Sequence, residues 1–248
     1  MGRKASLALA SLTLAATGWQ IAAIILDSSR FPGVPTVVLA LAGLVLNLQF
    51  WEQLMATLAL SLVGLGAGLG IALLLGISIG VNRFVDLSSR GTVNFLRSLP
   101  AVVILPLLVA GAGASVFTAI TVTAIVVALK LVIFVIRAVQ DIDPVRRELS
   151  HLLNLPRRLA LTNVFLPSML VLLGTGVRLS VQRAYGAVVV AGLVIGTPGL
   201  GAMLRLAQIN AQPDRVIALA FVMALVGLAM FYAFSRLEEW MAPWLLER

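Results

Sequence analysis

Apolar runs long enough to cross about 30 Å of hydrocarbon recur through this chain, and one long polar stretch interrupts them. The interruption, Asp141–Pro167, reads DIDPVRRELSHLLNLPRRLALTNVFLP and separates a run that ends near Val135 from one that begins near Leu166. Water alone could not dissolve such a chain: 60% of its 248 residues are apolar, 11% are charged, and the mean hydropathy is +1.07. Apolar runs of about 20 residues satisfy their backbone polar groups in lipid as helices. The expected fold is therefore all-α: a polytopic membrane protein of about six transmembrane helices, a single domain over residues 1–248 with a polar cytoplasmic loop at 138–167.

Within that loop, Val145–Leu153 is expected to form a short amphipathic helix. Val145, Leu149, Leu152 and Leu153 fall on one face, with Arg146, Arg147 and Ser150 away from it. Pro144 opens the helix where a missing N–H costs nothing, and Asp141 and Asp143 sit at its positive end. Asn154 and Pro156 close it. So short a helix is marginal alone in water, so its apolar face must rest on this chain or on a cytosolic partner.

The spans are read at Ala5–Leu26, Leu54–Val81, Leu99–Gly113, Val116–Val135, Pro167–Ile195 and Val216–Phe234. MGRKAS at the start fits both a signal-peptide start and a Met-Gly-x-x-x-Ser acylation pattern, but the run behind it is long enough to be a retained first helix. Thr36–Leu48 is too short to span upright and is expected to lie along the interface with Trp51 as anchor. Asn82–Ser98 reads as an inner loop, with Arg83, Arg90 and Arg97 against Asp86; Arg236, Glu238 and Glu239 read as part of a cytosolic tail. Only Arg30, Arg205 and Arg215 fall in outer segments, which places both termini in the cytoplasm. Gly64/Gly68, Gly66/Gly70 and Gly76/Gly80 are small-xxx-small pairs, read as close packing within the chain ahead of a dimer seam.

Three cations lie inside spans. Lys130 is expected to snorkel to the interface. Arg178 lies about 16 Å along its helix from Pro167, near mid-bilayer, where an arginine must face protein or water. Five residues separate it from Arg183, which turns the two guanidinium groups about 140° apart, so one ligand is not gripped by both. Arg178, Gln182 and Arg183 are the candidates for lining a polar pathway, with a packing role equally open for Arg178.

Several chemistries are excluded. All ten acidic residues sit in loops or at span ends, so no buried carboxylate is available for a proton relay or Na⁺ site. Neither Lys4 nor Lys130 follows a glycine, so there is no phosphate-binding P-loop. His151 stands alone and Cys is absent, so no metal centre is expected. A pI near 11.4 does not indicate nucleic acid, because the cations cap apolar runs and form no single patch. The chain is left as a permease driven by separate subunits, or as a passive channel or structural membrane protein.

The polar loop resembles that of type I ABC importer permeases, whose cytoplasmic motif runs Glu-Ala-Ala, three residues, Gly, nine residues, Ile-x-Leu-Pro. Glu148, Val164, Leu166 and Pro167 match it, while Leu149, Ser150 and Asn154 replace the two alanines and the glycine. Asn tolerates the left-handed conformation of a helix cap, so Asn154 can keep the geometry. Arg97, Ser98, Pro100, Pro106 and Gly113 resemble a second family region, and Thr197–Gly201 a third. Lys130 and Gly192 depart from the Pro and Glu that are common there. The likeness is to the nitrate, sulfonate and taurine subfamily.

That resemblance implies a transport subunit of a bacterial inner membrane, without enzyme activity of its own. ATP and Mg would be bound by two partner ATPases, and an external solute-binding protein would deliver a small solute, such as an organic or inorganic anion. ATPase coupling would fall to Glu148, Leu149, Ser150, Leu152, Leu153, Asn154 and Pro167. Drift at several motif positions favours a different permease subunit as partner over a second copy of this chain.

Overall fold

The computed structural model describes residues 2–26, 31–142, 145, 148–149 and 152–241. Its elements are α1 (Gly2–Leu26), α2 (Val34–Val45), α3 (Leu48–Val81), α4 (Arg83–Ser98), α5 (Ala101–Ala112) and α6 (Val116–Gln140). After the polar loop, a turn of helix at Arg157–Ala160 and a π-helical turn at Leu161–Phe165 lead into α7 (Leu166–Ile195), α8 (Leu200–Ile209) and α9 (Pro213–Met241). No strand occurs among the described residues. Leu48–Val81, Val116–Gln140, the run Arg158–Ile209 and Pro213–Trp240 are long and apolar enough to cross a membrane, and the bent pair α4–α5 makes a fifth when counted as one broken span. Within α1, Thr13–Leu26 is a shorter apolar helix.

The helix ends have local causes. Asn47 Oδ1 accepts from Gln49 N–H at 2.9 Å to start α3, Asn82 Oδ1 from Phe84 N–H at 3.0 Å to start α4, and Ser115 Oγ from Thr118 N–H at 3.2 Å to start α6. Gly196, at φ +73°, ends α7 in a left-handed cap. Asn82–Ser98, expected as a loop, is helical. Its amphipathic sequence turns Val85, Asp86 and Val93 inward, and the axis bends by 94° between it and α5.

The centre of the molecule is the seam between α3 and α6. A Cβ on Gly68 would come within 2.6 Å of Val127 Cβ and 2.7 Å of the Ala124 carbonyl; on Gly76, within 2.5 Å of Val135 Cβ; on Gly80, within 2.9 Å of Val139 Cβ. Gly64 meets Thr123 in the same way. Glycines and their partners advance in step, so the helices run parallel, each contributing one row of residues four apart. Gly66 and Gly70 are different: a Cβ there meets nothing within 4 Å. Two of the three glycine pairs thus serve packing within the chain, and the third faces outward.

Longer-range contacts fix the remaining helices. Val34 N–H donates to Gln20 Oε1 at 2.8 Å, and Trp19 donates to Pro32 O and stacks on Phe221. These contacts hold α1 and α2 to α9, with Val37 and Leu44 buried. Polar side chains of α3 pin the Gly196–Gly201 turn: Gly199 N–H reaches Gln53 Oε1, and Leu200 N–H reaches Thr57 Oγ1 at 2.8 Å. There α8 folds back so closely that a Cβ on Gly192 would sit 3.0 Å from Ala202 N. The departure at Gly192 therefore has a steric cause.

The expected tail is instead the last turns of α9, and the Glu238 side chain is 13% exposed with Oε2 turned inward. Its Oε2 lies 3.3 Å from Arg178 Nε, its Oε1 accepts from Thr175 Oγ1 at 2.8 Å, and the Arg178 guanidinium also lies over Phe231, 5.6 Å from the ring centre. Asp86 is the other buried carboxylate, 5% exposed, beside Arg90. The expectation that no carboxylate is buried is corrected at both positions, and each is neutralised by an arginine.

Two predictions follow from this packing. Gly68→Ala and Gly76→Ala should each lower stability by about 1–3 kcal/mol, the usual cost of overpacking, while Gly66→Ala and Gly70→Ala should lose nothing. Thermal unfolding of detergent-solubilised protein checks this, and equal loss at all four positions contradicts the seam. Glu238→Ala removes the carboxylate from half-buried Arg178 and should cost about 1–3 kcal/mol, against less than about 1 kcal/mol for Glu239→Ala in the exposed pair with Arg236. Equal melting temperatures for the two variants would show that the Arg178 pair does not hold α7 to α9.

Candidate functional site

Two regions gather the polar residues singled out in the sequence. In the handle, Val145, Glu148, Leu149 and Leu152 are helical, and Leu153 N–H donates to Leu149 O at 3.0 Å. Asn154 adopts φ +45°, the left-handed cap expected of it. Glu148 is exposed, and so are the apolar side chains beside it: Leu149 is 50% exposed, Leu152 80% and Leu153 63%. Apolar side chains this bare show that the chain does not cover the face itself. Ser150 and His151 lie outside the described residues, as do Pro144, Arg146 and Arg147. Pro167 is the second residue of α7, where its missing N–H breaks no helix bond.

The second region is a cavity of about 390 Å³ between α5, α6 and α7, lined by Arg97, Lys130, Gln182 and Arg183 together with Ile104, Val126 and Gly186 among others. No carboxylate lines it. Half-buried Lys130, expected to snorkel outward, lies on this wall with its ammonium 5.8 Å from the Phe134 ring centre. Gln182 and Arg183 come together here, whereas Arg178 does not join them. It faces α9 and is committed to Glu238, as a five-residue offset requires of two arginines on one helix. Arg97 and Lys130 were not among the sequence candidates. The signal for them was weak: Arg97 opens a motif and Lys130 departs from one.

Between this cavity and the handle, α4 packs along the last turns of α6. Arg90 donates to both Asp86 oxygens, and Gln140 Nε2 donates to Asp86 Oδ2 at 3.2 Å. Among the described residues, no three His, Asp or Glu side chains cluster as metal ligands would.

Residues 64–245 match the family model described as the binding-protein-dependent transport system inner membrane component. Similar proteins include the putative aliphatic sulfonates transport permease SsuC of Bacillus subtilis, 25% identical over 87% of this chain and 78% of that one. The taurine transport system permease TauC of Escherichia coli is 26% identical over 98% of this chain and 91% of its own length. The nitrate import permease NrtB of a Synechocystis strain is 26% identical over 77% and 70%. Among solved structures, an amino acid ABC transporter crystallised with histidines shares the fold at TM-score 0.61 and 18% identity, covering 79% of this chain and 93% of that one. The chain belongs to the binding-protein-dependent inner-membrane permeases, the type I ABC importer class whose members include the sulfonate, taurine and nitrate permeases.

Proposed function

We propose that this permease carries a small organic or inorganic anion, such as a sulfonate, taurine or nitrate, through the cavity between α5, α6 and α7. The observation that carries the reading is the lining: Arg97, Lys130 and Arg183 with Gln182 as a neutral donor and no carboxylate. Cations held in a cleft with apolar walls concentrate the opposite charge, and a guanidinium offers a planar fork to a sulfonate, carboxylate or nitrate. The names of the sulfonate, taurine and nitrate relatives point the same way.

Energy comes from outside the chain. The bare apolar face of Leu149, Leu152 and Leu153 beside Glu148, closed by Asn154 and followed by Pro167, supports docking of an ATPase subunit on the handle, with Ser150 in the same segment. Such ATPases would hold the ATP and Mg; a solute-binding protein would deliver the anion on the opposite face, and both termini would be cytoplasmic. Residues 1–248 act as one permease domain, not an enzyme, opposite a second permease. The departures at Leu149, Ser150 and Asn154 favour a different subunit in that place, because one well-fitted docking helix can still transmit the ATPase stroke.

Uptake of labelled taurine, ethanesulfonate and nitrate by cells expressing the assembled transporter tests the anion. Lys130→Gln and Arg183→Gln should each lower uptake of the carried anion about tenfold or more, corresponding to about 1.4 kcal/mol, with unchanged membrane insertion. Transport of a neutral or cationic solute with none of these anions carried rejects the assignment. Glu148→Arg should abolish substrate-stimulated ATP hydrolysis while the permease still inserts; normal hydrolysis and uptake in that variant remove the handle from coupling.

A further inference from the structure

The cavity is the first of three that follow one another along the α4–α6 contact. Arg97 and Lys130 line it; Arg97 also lines the next, of about 310 Å³, with Arg137 and Arg90; Arg90 lines the third, of about 910 Å³, with Arg83. The third opens beside Ile142, Phe165 and Met169, where the polar handle leaves and rejoins the helices. Consecutive cavities therefore share an arginine, and the order runs from mid-helix α7 to the handle.

The sequence spaces these cations regularly. Arg83, Arg90 and Arg97 are seven residues apart on α4, and Lys130 and Arg137 are seven apart on α6. Two turns of helix put each cation back on nearly the same face, about 10.5 Å further along the axis. That step is close to the Debye length of about 8–10 Å at physiological ionic strength, so an anion leaving the field of one cation enters that of the next. A carboxylate in the groove would trap the opposite charge and repel the substrate. Only Asp86 lies there, and Arg90 and Gln140 occupy its oxygens. A general excess of cations on the inner side accounts for their presence but not for their alignment on one groove.

We propose that this α4–α6 stripe of Arg97, Arg137 and Arg83, spaced by the Asp86-bound Arg90, is the exit track by which a small anion passes from the Lys130–Arg183 cavity to the handle face. The proposal rests on the anion reading above and adds the route and its residues. Arg137 and Arg83 are positioned to guide the anion by charge, so Lys at either position serves and Gln does not.

The chain has no cysteine, which allows a test that does not depend on knowing the substrate. Gly186 lines the deep cavity, and a Cβ there meets nothing within 4 Å, so Gly186→Cys places a single thiol in it. In inside-out vesicles of the assembled transporter, its reaction rates with the anionic sulfonatoethyl and cationic trimethylammonioethyl methanethiosulfonates are compared, each normalised to a free thiol in solution. The anionic reagent should be favoured about tenfold, the lower end of what a charged cleft achieves. Arg137→Gln and Arg83→Gln should each reduce that preference at least about threefold, Arg137→Lys should restore it, and Arg215→Gln, outside the stripe, should leave it unchanged. A preference that survives Arg137→Gln and Arg83→Gln overturns the track while leaving the anion cavity intact, because the Lys130–Arg183 field alone then accounts for it. Absence of any preference, in a transporter that still takes up its anion, overturns the track as well. Uptake of none of the three anions, with the charge preference and its loss in Arg137→Gln both present, points instead to failure of the substrate assignment.

Discussion

The close approach of α3 and α6 is the constraint on which the rest of the structure depends. Lipid offers no hydrophobic gain for bringing two apolar helices together, so association has to come from packing and from the few polar contacts available. Glycine at Gly64, Gly68, Gly76 and Gly80 lets the backbone of one helix receive the valine and threonine ridge of the other, and the buried Thr57 and Ser61 extend the same face of α3. With that pair set parallel, α7 crosses α6 where Gly176 accepts Phe134, and α9 follows through Tyr185, whose hydroxyl donates to the Met223 carbonyl at 2.9 Å. The outer turn is pinned to Gln53 and Thr57 of the same α3, so the seam positions both ends of the long helix.

The long helix separates two uses of arginine. On one face Arg178 is held by Glu238, Ser235 and Phe231, which ties α7 to α9. On the other, Arg183 faces a cavity without a carboxylate partner. A cation whose charge is already met by a buried carboxylate is a structural joint. One left facing polar space, with other cations around it, is available to a ligand of opposite charge. The same distinction applies on α4, where Arg90 is tied to Asp86 while Arg97 and Arg83 face cavities.

The handle is the opposite case, a feature almost wholly local. Its helix needs only the spacing of Leu149, Leu152 and Leu153, and its end needs only a residue that accepts positive φ, which Asn154 supplies at +45°. Among the described residues nothing covers the apolar face, so its exposure agrees with the inference from length alone, that so short a helix needs support from elsewhere.

The sequence by itself determined the membrane class, the approximate spans, the helix cap at Asn154, and the stretches where close helix approach is allowed. All of these follow from hydropathy and backbone preference over a few neighbouring residues. Tertiary structure alone decided which glycine pairs meet a partner, that Asn82–Ser98 is a helix folded against α6, that Glu238 is buried against Arg178, and that Arg97, Lys130 and Arg183 share one cavity. The physical reason is that these depend on the rotation of each helix about its own axis relative to its neighbours. That rotation is set by side chains far away in sequence, and hydropathy in a nearly uniform apolar run carries almost no trace of it.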